Sequence, residues 1–107
     1  MIKKLTTTEI ETALTTLNQK CAAAWTIEEG KLYRAFKFPN FIAAFGFMTQ
    51  VAILAEKADH HPEWFNVYNR VEVVLTTHDV QGLSQRDLDL AQAMERIAAA
   101  WPPQEPA

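Results

Sequence analysis

The segment Phe41 to Ala58 is apolar around most of its circumference, and nothing else in the chain constrains the fold as tightly. Asn40 can cap it, and Pro62 bars a helix from continuing past His61, so the spacing predicts one long helix from Phe41 to Ala58. Its polar positions, Thr49, Gln50, Glu56 and Lys57, form only a narrow stripe. A surface helix normally shows a wider polar face. A chain of 107 residues builds one core and struggles to wrap such a helix completely. An oligomer, in which another subunit covers part of the helix, is therefore expected. The apolar run breaks at Thr49-Gln50, so it reads as too short to span a bilayer, and no membrane role is expected.

The remaining elements follow from local signals. Thr6 and Glu9 have capping-box spacing, with Leu5 and Ile10 placed as a hydrophobic staple. The stripe Ile10, Ala13, Leu14, Leu17, Cys21 then predicts a helix from about Thr7 to Lys20. Trp25 to Ile27 and Lys31 to Phe38 read as a hairpin joined by Glu28-Glu29-Gly30, with Arg34 interrupting an apolar face of Leu32, Phe36 and Phe38. A second hairpin, Trp64 to Tyr68 and Val71 to Thr76, is expected to turn at Asn69-Arg70. That turn pairs 68 with 71, 66 with 73 and 64 with 75. One face then carries Trp64, Tyr68, Val71, Val73 and Leu75, and the other carries Phe65, Val67 and Val74. Ser84 to Asp87 repeats the capping signal, and Leu88, Ala91, Met94, Ile97, Ala98 and Trp101 carry the last helical stripe toward Pro102. The order helix, strand, strand, helix, strand, strand, helix predicts an α+β domain. Its expected architecture is a four-stranded antiparallel sheet with three helices packed on one face. Residues 1–101 form the expected single domain, and 102–107 a frayed tail.

Composition excludes several classes of function. The net charge of −3 and pI near 5.5 lack the basic footprint of a nucleic-acid binder. The single cysteine, Cys21, can form neither an internal disulfide nor a Cys-rich zinc site, and its apolar setting marks it as a small buried hydrophobe. Met1 to Thr8 lacks the apolar core of a signal peptide, so a reducing cytoplasm is the expected compartment.

Chemistry centres on three histidines. His60 and His61 are adjacent where the long helix meets the second hairpin, and His78 follows the last strand. Extending the hairpin register places 61 opposite 78 on one face, which would gather the imidazoles at one end of the sheet. Imidazoles suit proton transfer near neutral pH. Adjacent histidines rarely aim both rings at one ion and no metalloenzyme spacing is present, so no metal is expected. Glu56, Asp59, Glu63 and Asp79 lie near enough in sequence to orient a ring. Arg86 sits in the first turn of the last helix and could support the site. Trp25 is the aromatic best placed to wall a pocket for a flat heterocycle, while Trp64 and Phe65 read more safely as core. Without further information the same histidines could equally be cap and loop residues with no chemistry.

The run Glu56-Lys-Ala-Asp-His-His-Pro-Glu-Trp-Phe-Asn-Val-Tyr-Asn69 closely resembles the signature of the pterin-4a-carbinolamine dehydratase family. The likeness continues through Thr76-Thr-His-Asp79 and Gly82-Leu-Ser-Gln-Arg-Asp87, and includes Trp25 and Phe45 to Thr49. It covers roughly Leu5 to Ala98. The resemblance implies a lyase that removes water from 4a-hydroxytetrahydrobiopterin in tetrahydrobiopterin recycling, using no metal or cofactor because the pterin is the substrate. It implies catalytic roles for His60, His61 and His78, and a substrate site lined by Asp59, His60, His61, Thr76, Thr77, His78 and Asp79. Departures are small: Asp79 where glutamate is common, and a proline-rich tail. A reading of another class is a dimerisation or transcriptional coactivator module, since animal relatives bind a transcription factor through a helical surface. An aromatic amino-acid hydroxylase is a second conceivable protein partner, and a pterin of molybdenum-cofactor metabolism a third, lesser context.

Overall fold

A computed structural model describes residues 1–19 and 25–101. Lys20, the last residue of the expected first helix, Cys21 of its stripe and the tail beyond Trp101 lie outside them. Helices α1 (Thr7–Asn18), α2 (Phe41–Ala58) and α3 (Gln85–Ala98) alternate with strands β1 (Thr26–Glu28), β2 (Lys31–Lys37), β3 (Glu63–Val67) and β4 (Arg70–Leu75). The strands form one antiparallel sheet in the order β1-β2-β4-β3. This is the expected α+β architecture, with the helices covering one face.

Each helix begins where its cap residue dictates. Thr6 and Ser84 form complete capping boxes with Glu9 and Asp87, and the Asn40 side chain accepts the Ala43 N–H at 2.8 Å. Such caps supply partners that the first turn cannot find within the helix. The helices lay Leu17, Phe47, Val51, Leu88, Ala91 and Met94 against Leu32, Phe36, Val71, Val73 and Leu75 of the sheet. Burial of that apolar area is the main stabilising term. Helix α2, at 18 residues and mean hydropathy 1.4, is long and apolar enough by composition to cross a membrane, which corrects the reading that it is too short. Here Ala44, Phe47, Val51 and Ala55 line the domain core, while Ile42, Phe45 and Ile53 on its far side are exposed.

The second hairpin differs from its expected register. Its turn is Tyr68-Asn69, not Asn69-Arg70, and the pairs are Val67↔Arg70, Asn66↔Val71 and Trp64↔Val73. Asn66 decides this, donating from Nδ2 to the carbonyls of Tyr68 (3.2 Å) and Arg70 (2.9 Å). Asn69 locks the turn further by donating to the Phe38 carbonyl at 3.0 Å. Tyr68 takes a left-handed conformation (φ 50°) as a result. A slip of two residues keeps the side chains that stay in the strands on their own faces, so Val71, Val73 and Leu75 still face the core, while Tyr68, expected on that face, falls in the turn and is exposed. It removes the pairing of 61 with 78. Phe65, expected in the core, lies exposed on the uncovered face of the sheet beside Val67. In the first hairpin Glu28 pairs with Lys31, leaving Glu29-Gly30 as the turn, both with positive φ.

Candidate active site

The end of α2 sets the site. Asp59 closes the helix in a left-handed conformation (φ 52°), a role usually taken by glycine or asparagine but open to aspartate. The His60 N–H then bonds back to the Ala55 carbonyl at 3.0 Å. This reversal turns the two adjacent imidazoles apart. The His60 side chain is 9% exposed and the His61 side chain 57%.

His60 points inward to Asp87, its Nε2 lying 2.7 Å from Oδ1. Asp87 is the third residue of α3 and fully buried, at 0% exposure. Its other oxygen accepts the Thr77 hydroxyl at 2.7 Å and the Ser84 N–H at 3.0 Å. Thr77 and Ser84 hydroxyls lie 2.7 Å apart, and Ser84 Oγ accepts the Arg86 N–H at 3.2 Å. One carboxylate therefore caps α3, holds the segment after β4 and anchors a histidine at the end of α2. Each such bond to a charged acceptor contributes about 1.5–3 kcal/mol, and the buried carboxylate requires them.

The other two imidazoles are held differently. His61 Nε2 lies 2.8 Å from Glu56 Oε1, one α2 turn back. His78 opens a 3-10 turn, His78–Val80, inside a loop closed by the Thr77↔Gly82 bridge. Its Nε2 lies 3.0 Å from Glu63 Oε2, and its side chain is 77% exposed. Glu63 also faces Lys31 Nζ at 3.4 Å. Exposed pairs of this kind contribute roughly 0–1 kcal/mol, so both rings can leave their carboxylates and turn to a ligand.

The three histidine segments thus meet at the end of the sheet where β3 begins and β4 finishes. Among the described residues no imidazole bonds another. Each Nε2 faces its own carboxylate, and among the described residues no group of three or more His, Cys, Asp or Glu side chains is gathered to hold a metal ion. Of the other expected site residues, Asp59 and Asp79 are exposed, while Thr76 and Thr77 are buried, Thr76 donating to the Gly82 carbonyl at 3.3 Å. Glu56 is a direct partner of His61, and Arg86 borders a cavity of about 380 Å³ between α2 and α3 that also reaches His60, Lys57, Asp89 and Arg96.

Trp25 is a correction. It is 1% exposed and lies in the core, edge-on to Phe36, with its indole N–H donating to Glu95 at 2.9 Å. No surface of its ring is left to wall a pocket. Asp87 is the residue that sequence reasoning undervalued. It was legible as the acid of a capping box, but its burial and its bond to His60 come from the packing of α3 against the α2 terminus.

Fold and site together define a small α+β protein with one shielded and two exposed imidazole–carboxylate pairs, an arrangement suited to proton transfer. The family model described as pterin 4 alpha carbinolamine dehydratase matches residues 3–97. The chain belongs to that family. It is 50% identical to a Solibacter usitatus protein over 99 residues, covering 92% of this chain and 99% of the relative. It is 54% identical to a Rhodopseudomonas palustris protein over 103 residues, covering 94% and 97%. Both relatives are named, provisionally, as pterin-4-alpha-carbinolamine dehydratases. A crystal structure from Brucella melitensis, titled transcriptional coactivator/pterin dehydratase, superposes with TM-score 0.81 at 46% identity, covering 90% of this chain and 99% of that one.

Proposed function

We propose that this protein dehydrates a 4a-hydroxytetrahydropterin, 4a-hydroxytetrahydrobiopterin in the first instance, to the quinonoid dihydropterin and water. The observation that carries this reading is the set of three imidazoles at one sheet end, one fixed and two free to move. In the reaction the C4a–O bond breaks as a proton reaches the departing hydroxyl. The N5 proton leaves, and its bonding electrons form the N5=C4a double bond. His61, exposed and paired with a carboxylate, is the proposed acid. His60 or His78 receives the N5 proton. Asp59, His60, His61 and Thr76 to Asp79 are the proposed lining of the pterin site. The pterin is substrate, and the steps require neither a metal nor a second cofactor.

Recycling of tetrahydrobiopterin for aromatic amino-acid hydroxylation in the cytoplasm is the proposed setting. The exposed Ile42, Phe45 and Ile53 of α2 favour a homodimer or homotetramer. Stopped-flow turnover of the carbinolamine tests the activity. His61→Ala is expected to lose about 10²- to 10⁴-fold, the usual contribution of a positioned acid or base. A wild-type protein no faster than the spontaneous reaction refutes the proposal.

The same apolar α2 face, with the coactivator wording attached to the Brucella structure, favours a second reading as a dimerisation or coactivator module. Light scattering of wild type and Ile53→Asp measures the assembly. A wild-type monomer removes the homo-oligomer.

A further inference from the structure

We propose that Asp87 is a positioning residue that holds His60 in its Nε2–H tautomer, so that Nδ1 is the basic nitrogen offered to substrate. The catalytic part rests on the dehydratase reading, whereas the tautomer does not.

Donor counting carries the argument. An ionised carboxylate only accepts hydrogen bonds. Asp87 sits in the first turn of α3, where the helix dipole favours its charge. Oδ2 is taken by the Ser84 N–H and the Thr77 hydroxyl. Having spent its proton there, Thr77 accepts from the Ser84 hydroxyl at 2.7 Å, and Ser84 in turn accepts the Arg86 N–H. The chain of donors runs one way and ends on the carboxylate. Oδ1 is left facing His60 Nε2 at 2.7 Å, so Nε2 must carry the proton. Nδ1 then holds the lone pair.

Among the described residues nothing hydrogen-bonds to Nδ1, and the ring borders the cavity between α2 and α3. His61 and His78 have exposed carboxylate partners that water can replace, so their tautomers stay free. Only His60 is set in advance. In the dehydration its Nδ1 accepts the N5 proton while the 4a-oxygen leaves as water. The resulting imidazolium is balanced by the buried Asp87 carboxylate until the proton passes to solvent.

Histidine ¹⁵N spectra at pH 8.5, where an ordinary imidazole is neutral, read the tautomer directly, with His60→Gln assigning the resonance. The expected wild-type pattern is a protonated Nε2 and a bare Nδ1. Asp87→Asn keeps an acceptor oxygen for Ser84 and Thr77 but turns its NH₂ toward His60. The tautomer should invert, with kcat falling about 10²- to 10⁴-fold and KM nearly unchanged. A wild-type His60 protonated on Nδ1, or on both nitrogens, overturns the proposal without any variant. So does an Asp87→Asn protein with inverted tautomer and full turnover. A wild type with the expected spectrum but no dehydratase activity leaves the positioning intact and refutes only the reaction.

Discussion

Glu95 of α3 offers the sharpest stability test. Its carboxylate accepts the indole N–H of buried Trp25 at 2.9 Å and ion-pairs with Arg34 of β2. The guanidinium of Arg34 lies over the Phe36 ring, 4.0 Å from its centroid. Both members of the pair are mostly shielded, with side-chain exposures of 12% and 22%. Glu95→Gln keeps an acceptor for Trp25 but removes the charge facing Arg34. Breaking a fully buried pair from one side costs about 3–5 kcal/mol. Residual solvent access lowers the expectation here to about 2–3 kcal/mol. Glu95→Ala also strands the indole N–H, which adds about 1–2 kcal/mol. Adding Arg34→Met to Glu95→Gln leaves no uncompensated charge, keeps the acceptor for Trp25 and should recover most of the loss. Urea unfolding measures each variant through its midpoint at constant slope, and a double-mutant cycle isolates the coupling, expected at about 1–3 kcal/mol. A Glu95→Gln protein within about 0.5 kcal/mol of wild type, the range of an ordinary surface substitution, refutes the reasoning.

The other expectations are simpler. Phe47 is fully buried, its ring 4.8 Å from those of Phe36 and Phe38, so Phe47→Ala should cost about 3–5 kcal/mol by urea unfolding. Glu9 is held below the usual carboxylate range, first by the Thr6 backbone N–H and then by Lys3. A lowered folded-state value gives stability that is present above the unfolded value of 4.5 and lost as pH falls through the folded one. Glu9→Gln should therefore flatten stability against pH on the acid side of 4.5, measured by thermal unfolding at stepped pH; an unchanged slope contradicts the capping role. Gly30 has φ +76° in the β1–β2 turn with open space where a Cβ would go. Gly30→Ala should cost about 1 kcal/mol from backbone strain alone, and Gly30→Asn less, as their thermal midpoints would reveal.

Particular residues explain what could be read beforehand. The caps at Thr6, Asn40 and Ser84 are local chemistry, and the helices start there. The period-2 pattern of Val71, Val73 and Leu75 placed the core face of β4 correctly even though the turn was displaced, because the error was two residues and not one. The displacement came from side-chain bonds of Asn66 and Asn69 to carbonyls, which no hydrophobic pattern encodes. Trp25 and Phe65 were misplaced for one reason. An aromatic residue near a chain reversal fits core, pocket or surface equally well until the neighbouring elements are in place.

The sequence by itself determined the element order, the core faces and the three histidines, since these follow from periodicity, capping and residue chemistry over short distances. Tertiary structure alone decided how the histidines differ. Folding α3 back against the end of α2 buries Asp87 and shields His60, while His61 and His78 stay with exposed carboxylates in water. Burial is a property of the assembled chain, and it separates a fixed imidazole from two mobile ones.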